Sequence, residues 1–308
     1  MTVRLTVDRA RWLKHVTSTL DAINRHAEAV PVVKGNGYGF GRARLAGIAA
    51  DLADRICVGT IHELNELPTG VEPIVLTPTL VEPPTERVIL TVANADHIRV
   101  LAGRPRRVLV KLASRMHRYG GDVRLIDEAT AAGLDVVGVS IHPPLAGSDQ
   151  EHIDQILTHL PHLDPRLDVW VSHVGPEAIA TLPDDRSWRV RVGTALWHGE
   201  RSALHLSAQV LDVRTVSAGD NAGYRQVPVP VDGNLVMVGA GTANGVHPLD
   251  DGRSPFHHRR TRLDLLEAPH MHTSMLICPA EIPPPAIGDW LDLQRPLTWT
   301  MIDEIDWV

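Results

Sequence analysis

Between residues 30 and 193 the chain repeats one pattern eight times: a short apolar run, then a stretch with helical periodicity or turn character. The runs are "VPVVK" (30–34), "ICVGT" (56–60), "PIVLT" (73–77), "RVILTV" (87–92), "RVLVKL" (107–112), "VVGVSIH" (136–142), "VWVSHV" (169–174) and "WRVRVG" (188–193). "GRARLAGIAADLAD", "DVRLIDEATAAG" and "SDQEHIDQILTHL" are among the helical stretches between them. Such alternation demands a parallel sheet with helical crossovers, because a tight hairpin cannot join parallel neighbours. Eight strands match a (β/α)8 TIM-type barrel, although counting leaves a doubly wound sheet of eight strands open. The barrel makes a further demand, that functional groups lie at the C-terminal strand ends. Lys34 ends the first run, Lys111 closes the fifth, His142 the sixth, His173 the seventh and Arg191 the eighth. In a barrel they converge at one mouth.

From about residue 201 the texture changes. "ALHLSAQVLDVRTV", "YRQVPVPV", "NLVMVGAG", "TSMLICP" and "WLDLQRPLTWTMIDEI" read as antiparallel strands, separated by turn residues at "SAGDNAG" and "IPPPAIGD". The expected organisation is a barrel domain over residues 1–200 and a mostly antiparallel β domain over residues 201–308. Residues 1–7 read as a strand that pairs with the C-terminal domain. The polar segment "DDGRSPFHHRRTR" (250–262) reads as a mobile loop.

"VPVVKGNGYGFGRAR" (30–44) runs the first strand into a lysine and then sets glycine at 35, 37, 39 and 41. In a Walker loop the lysine follows the glycines, whereas here it precedes them. A G-x-G-x-x-G fingerprint fails too, since the sixth residue from Gly35, Gly37 or Gly39 is Phe40, Arg42 or Arg44. Both nucleotide signatures are therefore excluded, leaving either an ordinary turn or a turn closely approached by a ligand. Composition favours the ligand. Of 30 basic residues only Lys14, Lys34 and Lys111 are lysine. Where charge alone is wanted this chain uses arginine, which cannot lose its proton in practice, whereas a lysine amine can be neutralised and form a Schiff base. Lys14 lies in the amphipathic "DRARWLKHVTSTLDAINRH" and reads as merely solvated. Tyrosine is equally sparse, at Tyr38, Tyr119 and Tyr224.

A net charge of -7 with no basic run argues against nucleic acid as a partner. Cys57 and Cys278 sit in separate apolar runs without ligand spacing, so neither a disulfide framework nor a cysteine metal site is expected, and a reducing cytoplasm fits. "HMH" (270–272) and "HH" (257–258) lack a carboxylate or cysteine at ligand spacing, which favours a chain without metal. No secretory leader or bilayer-spanning run is read, and no membrane association is expected.

"VVKGNGYGFG", together with the barrel-then-β order, resembles the alanine racemase family of fold-type III pyridoxal phosphate (PLP) enzymes. The resemblance implies that Lys34 holds PLP covalently and acts as a base, with Tyr38 near the cofactor phosphate. "VKLASRMHRYG" is similar to the family's V-K-[LIV]-D-T-G-M-x-R-L-G, which puts Arg118 on the arginine that contacts substrate carboxylate and cofactor. Lys111 then falls on a lysine that is often carbamylated. "SIHPPLAGSD" places His142 in a hydrogen-bond relay, and "VSHVGPEA" places His173 beside it. "VRVGTALWHG" sets Arg191 against the pyridine nitrogen and the amides of Gly193 and Thr194 near the phosphate, with Trp197 in place of the usual tyrosine. "VRTVSAGDNAGY" resembles the segment carrying the catalytic tyrosine, here Tyr224, which in the family reaches into the partner subunit's site.

Two departures accompany the match. Thr273 and Ser274 in "HMHTSMLICP" stand where the family has a Met-Asp pair, Thr273 remaining a candidate substrate contact. The family's usual C-terminal segment, with a further phosphate-binding tyrosine, is not found after Val308. The resemblance implies a homodimeric racemase acting on alanine or another small amino acid by two-base proton transfer at Cα. A fold-type III enzyme that epimerises or decarboxylates a specialised amino acid is the alternative. A non-catalytic PLP-binding protein is a third reading, against which the second domain and Tyr224 count.

Overall fold

Eight parallel strands close into a ring. In the computed structural model, which describes residues 2–308, they are β1 (Glu28–Pro31), β2 (Arg55–Val58), β3 (Glu72–Val75), β4 (Leu90–Val92), β5 (Arg107–Lys111), β6 (Asp135–Ser140), β7 (Asp168–Val171) and β8 (Trp188–Val192). Ladders run continuously in the order β1-β8-β7-β6-β5-β4, and β2 pairs with β3. The parallel bridges Val32↔Cys57 and Ile74↔Ile89 join the two sets. Closure resolves the choice left by strand counting: this is a barrel rather than an open sheet, with a wall of buried aliphatic residues such as Val30, Ile56, Ile74, Leu90, Leu109, Val139, Val169 and Val190.

The crossovers depart from eight regular helices. Helices Arg42–Ala50, Ala95–Leu101, Leu125–Ala131 and Asp149–Leu157 fill four of them. Ser148 and Glu151 form a capping box at the start of the last. Only a 3-10 segment, Ile61–Glu66, follows β2, and a single turn, Pro176–Ile179, follows β7. Among the described residues no helix separates β3 from β4, where Pro78, Pro83 and Pro84 deny a helix its backbone donors.

At the N-terminal end of the barrel, arginines and acids alternate along a chain of ion pairs. Arg107 pairs with Glu72. Glu72 also meets Arg55 at 2.6 Å, and Arg55 meets Glu28 at 2.7 Å. Glu28 meets Arg189 at 2.6 Å, and Arg189 reaches Asp168 at 2.8 Å. Every one of these charges has an opposite neighbour.

Two compact units are present, a barrel unit of residues 14–37 and 42–199 and a β unit of residues 2–13, 38–41 and 200–308. In the β unit Val3–Val7 pairs antiparallel with the long strand Leu204–Val216 and parallel with Glu304–Trp307. Residues 38–41 group here because Phe40 joins Trp12 and Trp307 in an aromatic cluster, with ring centroids 5.1 and 6.2 Å from it. The unit's core combines Val3, Val236, Phe256, Leu276 and Leu291, all fully buried. Within the expected mobile loop at 250–262, residues 256–262 form a hairpin. Phe256–His258 pairs with Thr261–Arg262 and with Trp290–Leu293. Its turn holds Arg259 and Arg260 at φ 47° and 70°, the left-handed geometry of a type I′ hairpin. Burial of Phe256 overrides the polar composition from which the loop was expected.

Candidate active site

The sequence-read strands overran the ladders, and the overrun matters for the site. Lys34 lies three residues beyond β1, and His142 and His173 each lie two residues beyond β6 and β7. They sit on the loops that leave the C-terminal end of the barrel, while Lys111 closes β5 and Arg191 lies inside β8 in register with Val30. The barrel thus places Lys34, Lys111, Arg118, His142, His173 and Arg191 at one mouth, as the electrostatic coupling among them shows.

The loop after Lys34 is pinned in an unusual backbone path. Glu63 accepts the amide of Gly35 at 3.1 Å and that of Gly59 at 2.6 Å, and Arg42 donates to the Gly35 carbonyl at 2.6 Å. Gly37 must be glycine: its φ is 64°, and a Cβ would stand 2.5 Å from the Arg42 nitrogen. Tyr38 follows at φ 54°, strained for a side chain; it is buried, and it groups with the β unit.

Lys34 is exposed to solvent, and the protein around its amine partly desolvates it. Burial, then the charges of Arg118 and Arg191, lower its pKa against a smaller opposing pull from Glu63. Lys111 is 3% exposed and is pushed down to about 7, by burial first and then by Arg191, Arg118 and Lys34. Its ammonium and the Arg118 guanidinium flank the Tyr119 ring, 5.8 and 5.2 Å from the centroid. Buried Arg191 is brought down to about 10 and remains protonated at neutral pH. Among the described residues no carboxylate pairs with Lys34, Lys111, Arg118 or Arg191. The Cys57 thiol, which feels the Lys34 and Arg191 charges, is pushed up to about 12 by burial and is inert.

Arg191 is held by the barrel's own backbone. It donates to Ile141 O at 2.8 Å and to Val171 O at 3.3 Å, and one terminal nitrogen also reaches Ser172 Oγ at 3.3 Å. Ser172 in turn hydrogen-bonds His142 Nδ1. Burial first, then Arg191 and Lys111, pushes His142 down to about 2, so it is neutral. His173 packs on it at 4.6 Å between ring centroids, donates to Pro143 O at 2.9 Å and occupies φ 61°. Its neutral form is favoured chiefly by burial. Beyond β8, Gly193 precedes the short helix Thr194–His198, whose Leu196 and Trp197 amides both bond back to Gly193 O at 3.0 and 2.9 Å. Trp197 is fully buried there and donates to Val32 O at 2.8 Å.

Tyr224 and Thr273 belong to the β unit. Tyr224 is 86% exposed on the turn between Asn221–Ala222 and Val227–Pro228. Glu267 accepts the amides of Tyr224 and Arg225 at 3.0 and 3.2 Å, and His270 Nε2 at 2.6 Å. The His270 ring rests 4.5 Å from the Tyr224 ring. Thr273 accepts the His270 amide through its carbonyl, whereas buried Ser274 spends its hydroxyl on Ala240 O at 2.7 Å. Sequence reasoning missed Ser172, Glu63 and Glu267. Adjacency to His173 is the only signal Ser172 carries, and Glu63 lies 28 residues from the Gly35 amide and Glu267 43 residues from the Tyr224 amide. Among the described residues no three His, Cys, Asp or Glu side chains come together as metal ligands, and both cysteines are free and buried.

A family model described as "Alanine racemase, N-terminal domain" matches residues 7–200. The alanine racemase of Salinispora tropica is 29% identical over 295 residues, covering 79% of this chain and 78% of that one. That of Shewanella piezotolerans is 26% identical over 279 residues, covering 76% and 74%. Among solved structures, alanine racemase from Bartonella henselae with covalently bound pyridoxal phosphate superposes with a TM-score of 0.76 at 17% identity, covering all of both chains. The enzyme from the D-cycloserine producer Streptomyces lavendulae gives 0.73 at 21% identity, covering 100% of this chain and 97% of that one. Both share the fold, a barrel followed by a β domain.

Proposed function

The chain belongs to the alanine racemase family through its N-terminal domain, and on that premise we propose that it is a PLP-dependent amino-acid racemase. It interconverts the L and D forms of alanine or another small amino acid. The observation that carries this reading is the C-terminal mouth of the barrel, where two lysines and two arginines meet without a partnering carboxylate among the described residues. PLP fits such a mouth, because its phosphate and phenolic oxygen bring negative charge and its aldehyde needs an unprotonated amine, which the lowered pKa of Lys34 favours. When bound, PLP supplies the electron sink that makes a Cα proton removable.

The chain's own residues do the rest. Lys34 would hold the cofactor covalently, and its amine would move a proton at one face of Cα. Tyr224 of the partner subunit serves the other face, which makes the working enzyme a homodimer with shared sites. Its exposed, braced position on the β unit suits a residue that must insert elsewhere. Arg118 would receive the substrate carboxylate, and Arg191, protonated at neutral pH, would offer the ring nitrogen an N–H. The amides of Gly193 and Thr194 and the Tyr38 hydroxyl bind the phosphate. His142 and His173 shape the cofactor side, and Thr273 approaches the substrate. With a pKa of about 7, Lys111 has enough neutral amine to take up carbon dioxide as a carbamate that braces Arg118. Among the described residues no helix is long and apolar enough to cross a membrane; the cytoplasm is the compartment we assign.

A panel of L-amino acids incubated in deuterated water with PLP tests the reading. Racemised, Cα-deuterated alanine or a similar small amino acid is the expected product. Release of carbon dioxide would transfer the assignment to a decarboxylase of the same fold. That second reading draws on Ser274, whose fully buried and bonded hydroxyl offers no polar group where the family has aspartate.

A further inference from the structure

Between Arg191 and His142 stands a residue that no motif marked. Ser172 is 4% exposed, directly follows β7, and makes two hydrogen bonds to site side chains. Arg191 reaches its Oγ at 3.3 Å, and His142 Nδ1 lies within hydrogen-bond distance of the same atom. A guanidinium has no acceptor, so Arg191 must donate and Oγ must accept. The hydroxyl has one proton of its own. Among the described residues its only other polar neighbour is His142 Nδ1, so that proton goes to the imidazole. Were His142 to donate instead, the buried hydroxyl proton would have no acceptor.

We infer that Ser172 is a positioning residue that passes the fixed donor orientation of Arg191 to His142 and holds that ring as its Nε2–H tautomer. The charge of Arg191 thus reaches His142 through a neutral hydroxyl rather than by contact. Other neighbours agree with a neutral ring: Arg191, Lys111, His173 and Arg118 all oppose an imidazolium there, after burial itself. His173 does not set the tautomer: its Nδ1 is engaged by the Pro143 and Pro144 carbonyls, and it meets His142 only in a tilted ring contact. The consequence deepens the proposed function and rests on it: His142 presents a hydrogen-bond donor to the mouth through Nε2. It can stabilise a negative oxygen, as of a tyrosine giving up its proton, but with Nδ1 already occupied it is no base for a substrate.

Histidine nitrogen NMR on the full chain without added cofactor tests this directly, with the His142 signals assigned by His142→Gln. A proton on Nε2 with bare Nδ1 is expected. Ser172→Ala should admit the other tautomer, and Ser172→Thr, which keeps the hydroxyl, should restore the first. In the PLP-loaded enzyme Ser172→Ala should lower kcat about tenfold with KM within about twofold, as expected for one lost hydrogen bond, with recovery in Ser172→Thr. A wild-type proton on Nδ1, or an unchanged tautomer in Ser172→Ala, overturns the inference. Should Ser172→Ala not fold, the wild-type spectrum still decides. Because that spectrum needs no cofactor, an Nε2–H His142 in a protein that fails to racemise amino acids would overturn the functional reading and leave the role of Ser172 standing.

Discussion

The two ends of the barrel use the same kinds of residue to opposite effect. At the N-terminal end Glu28, Glu72 and Asp168 interleave with Arg55, Arg107 and Arg189, so each charge is neutralised by a neighbour. There Glu72 loses hydration by burial, yet Arg107 and Arg55 more than offset it and hold its pKa down. At the C-terminal end Lys34, Lys111, Arg118 and Arg191 gather, with no acid paired to them among the described residues. Burial and mutual repulsion bring Lys111 to about 7 and Arg191 to about 10. Paired charges stabilise a fold, whereas unpaired ones remain costly until an anion arrives, which is why perturbed groups mark functional sites.

Four substitutions would break or sharpen this contrast. Lys34→Ala should lower racemisation by at least about 10⁴-fold, as expected for loss of a covalent anchor, while thermal unfolding stays near that of the wild type. Arg191→Gln should lower kcat about 10²–10³-fold by removing a preorganised donor. Lys111→Met should bind PLP about tenfold more weakly than wild type near pH 6, in carbonate-free buffer, a single lost charge interaction. The gap should close as pH rises through about 7, where the wild-type amine itself becomes neutral. Equal affinities at low pH would remove Lys111 from the anion site. At the other end, Glu72→Gln should cost about 1–2 kcal/mol in urea unfolding, as for a partly buried pair, with kcat unchanged. The folded pKa of Glu72 is depressed, so its contribution is present above the ordinary carboxylate value of 4.5 and is lost as pH falls through the folded pKa. The variant should therefore flatten the acid limb of the stability curve.

Much of the barrel was legible because its strands are continuous apolar runs, and the catalytic end because lysine is scarce. Strand ends were not legible. Val32 and Val33 are as buried as the ladder residues before them, so apolarity continues past the point where β1 stops. The N-terminal ring escaped notice because each member stands alone in its own run and meets its partners only after closure. Tyr38 reads as part of the barrel, but it belongs with the β unit, where the Trp12–Phe40–Trp307 cluster draws its loop. Ser172 is invisible for a similar reason, since both its partners lie on neighbouring strands or loops.

The central claim, that the unpaired mouth is the cofactor site and Lys34 its anchor, can be tested on the three lysines of this chain. The protein is mixed with PLP, reduced with borohydride, digested and mapped by mass. A pyridoxyl group on the peptide carrying Lys34, and on no other, is the predicted result. Label on Lys14 or Lys111 instead, or no label at all, would contradict it.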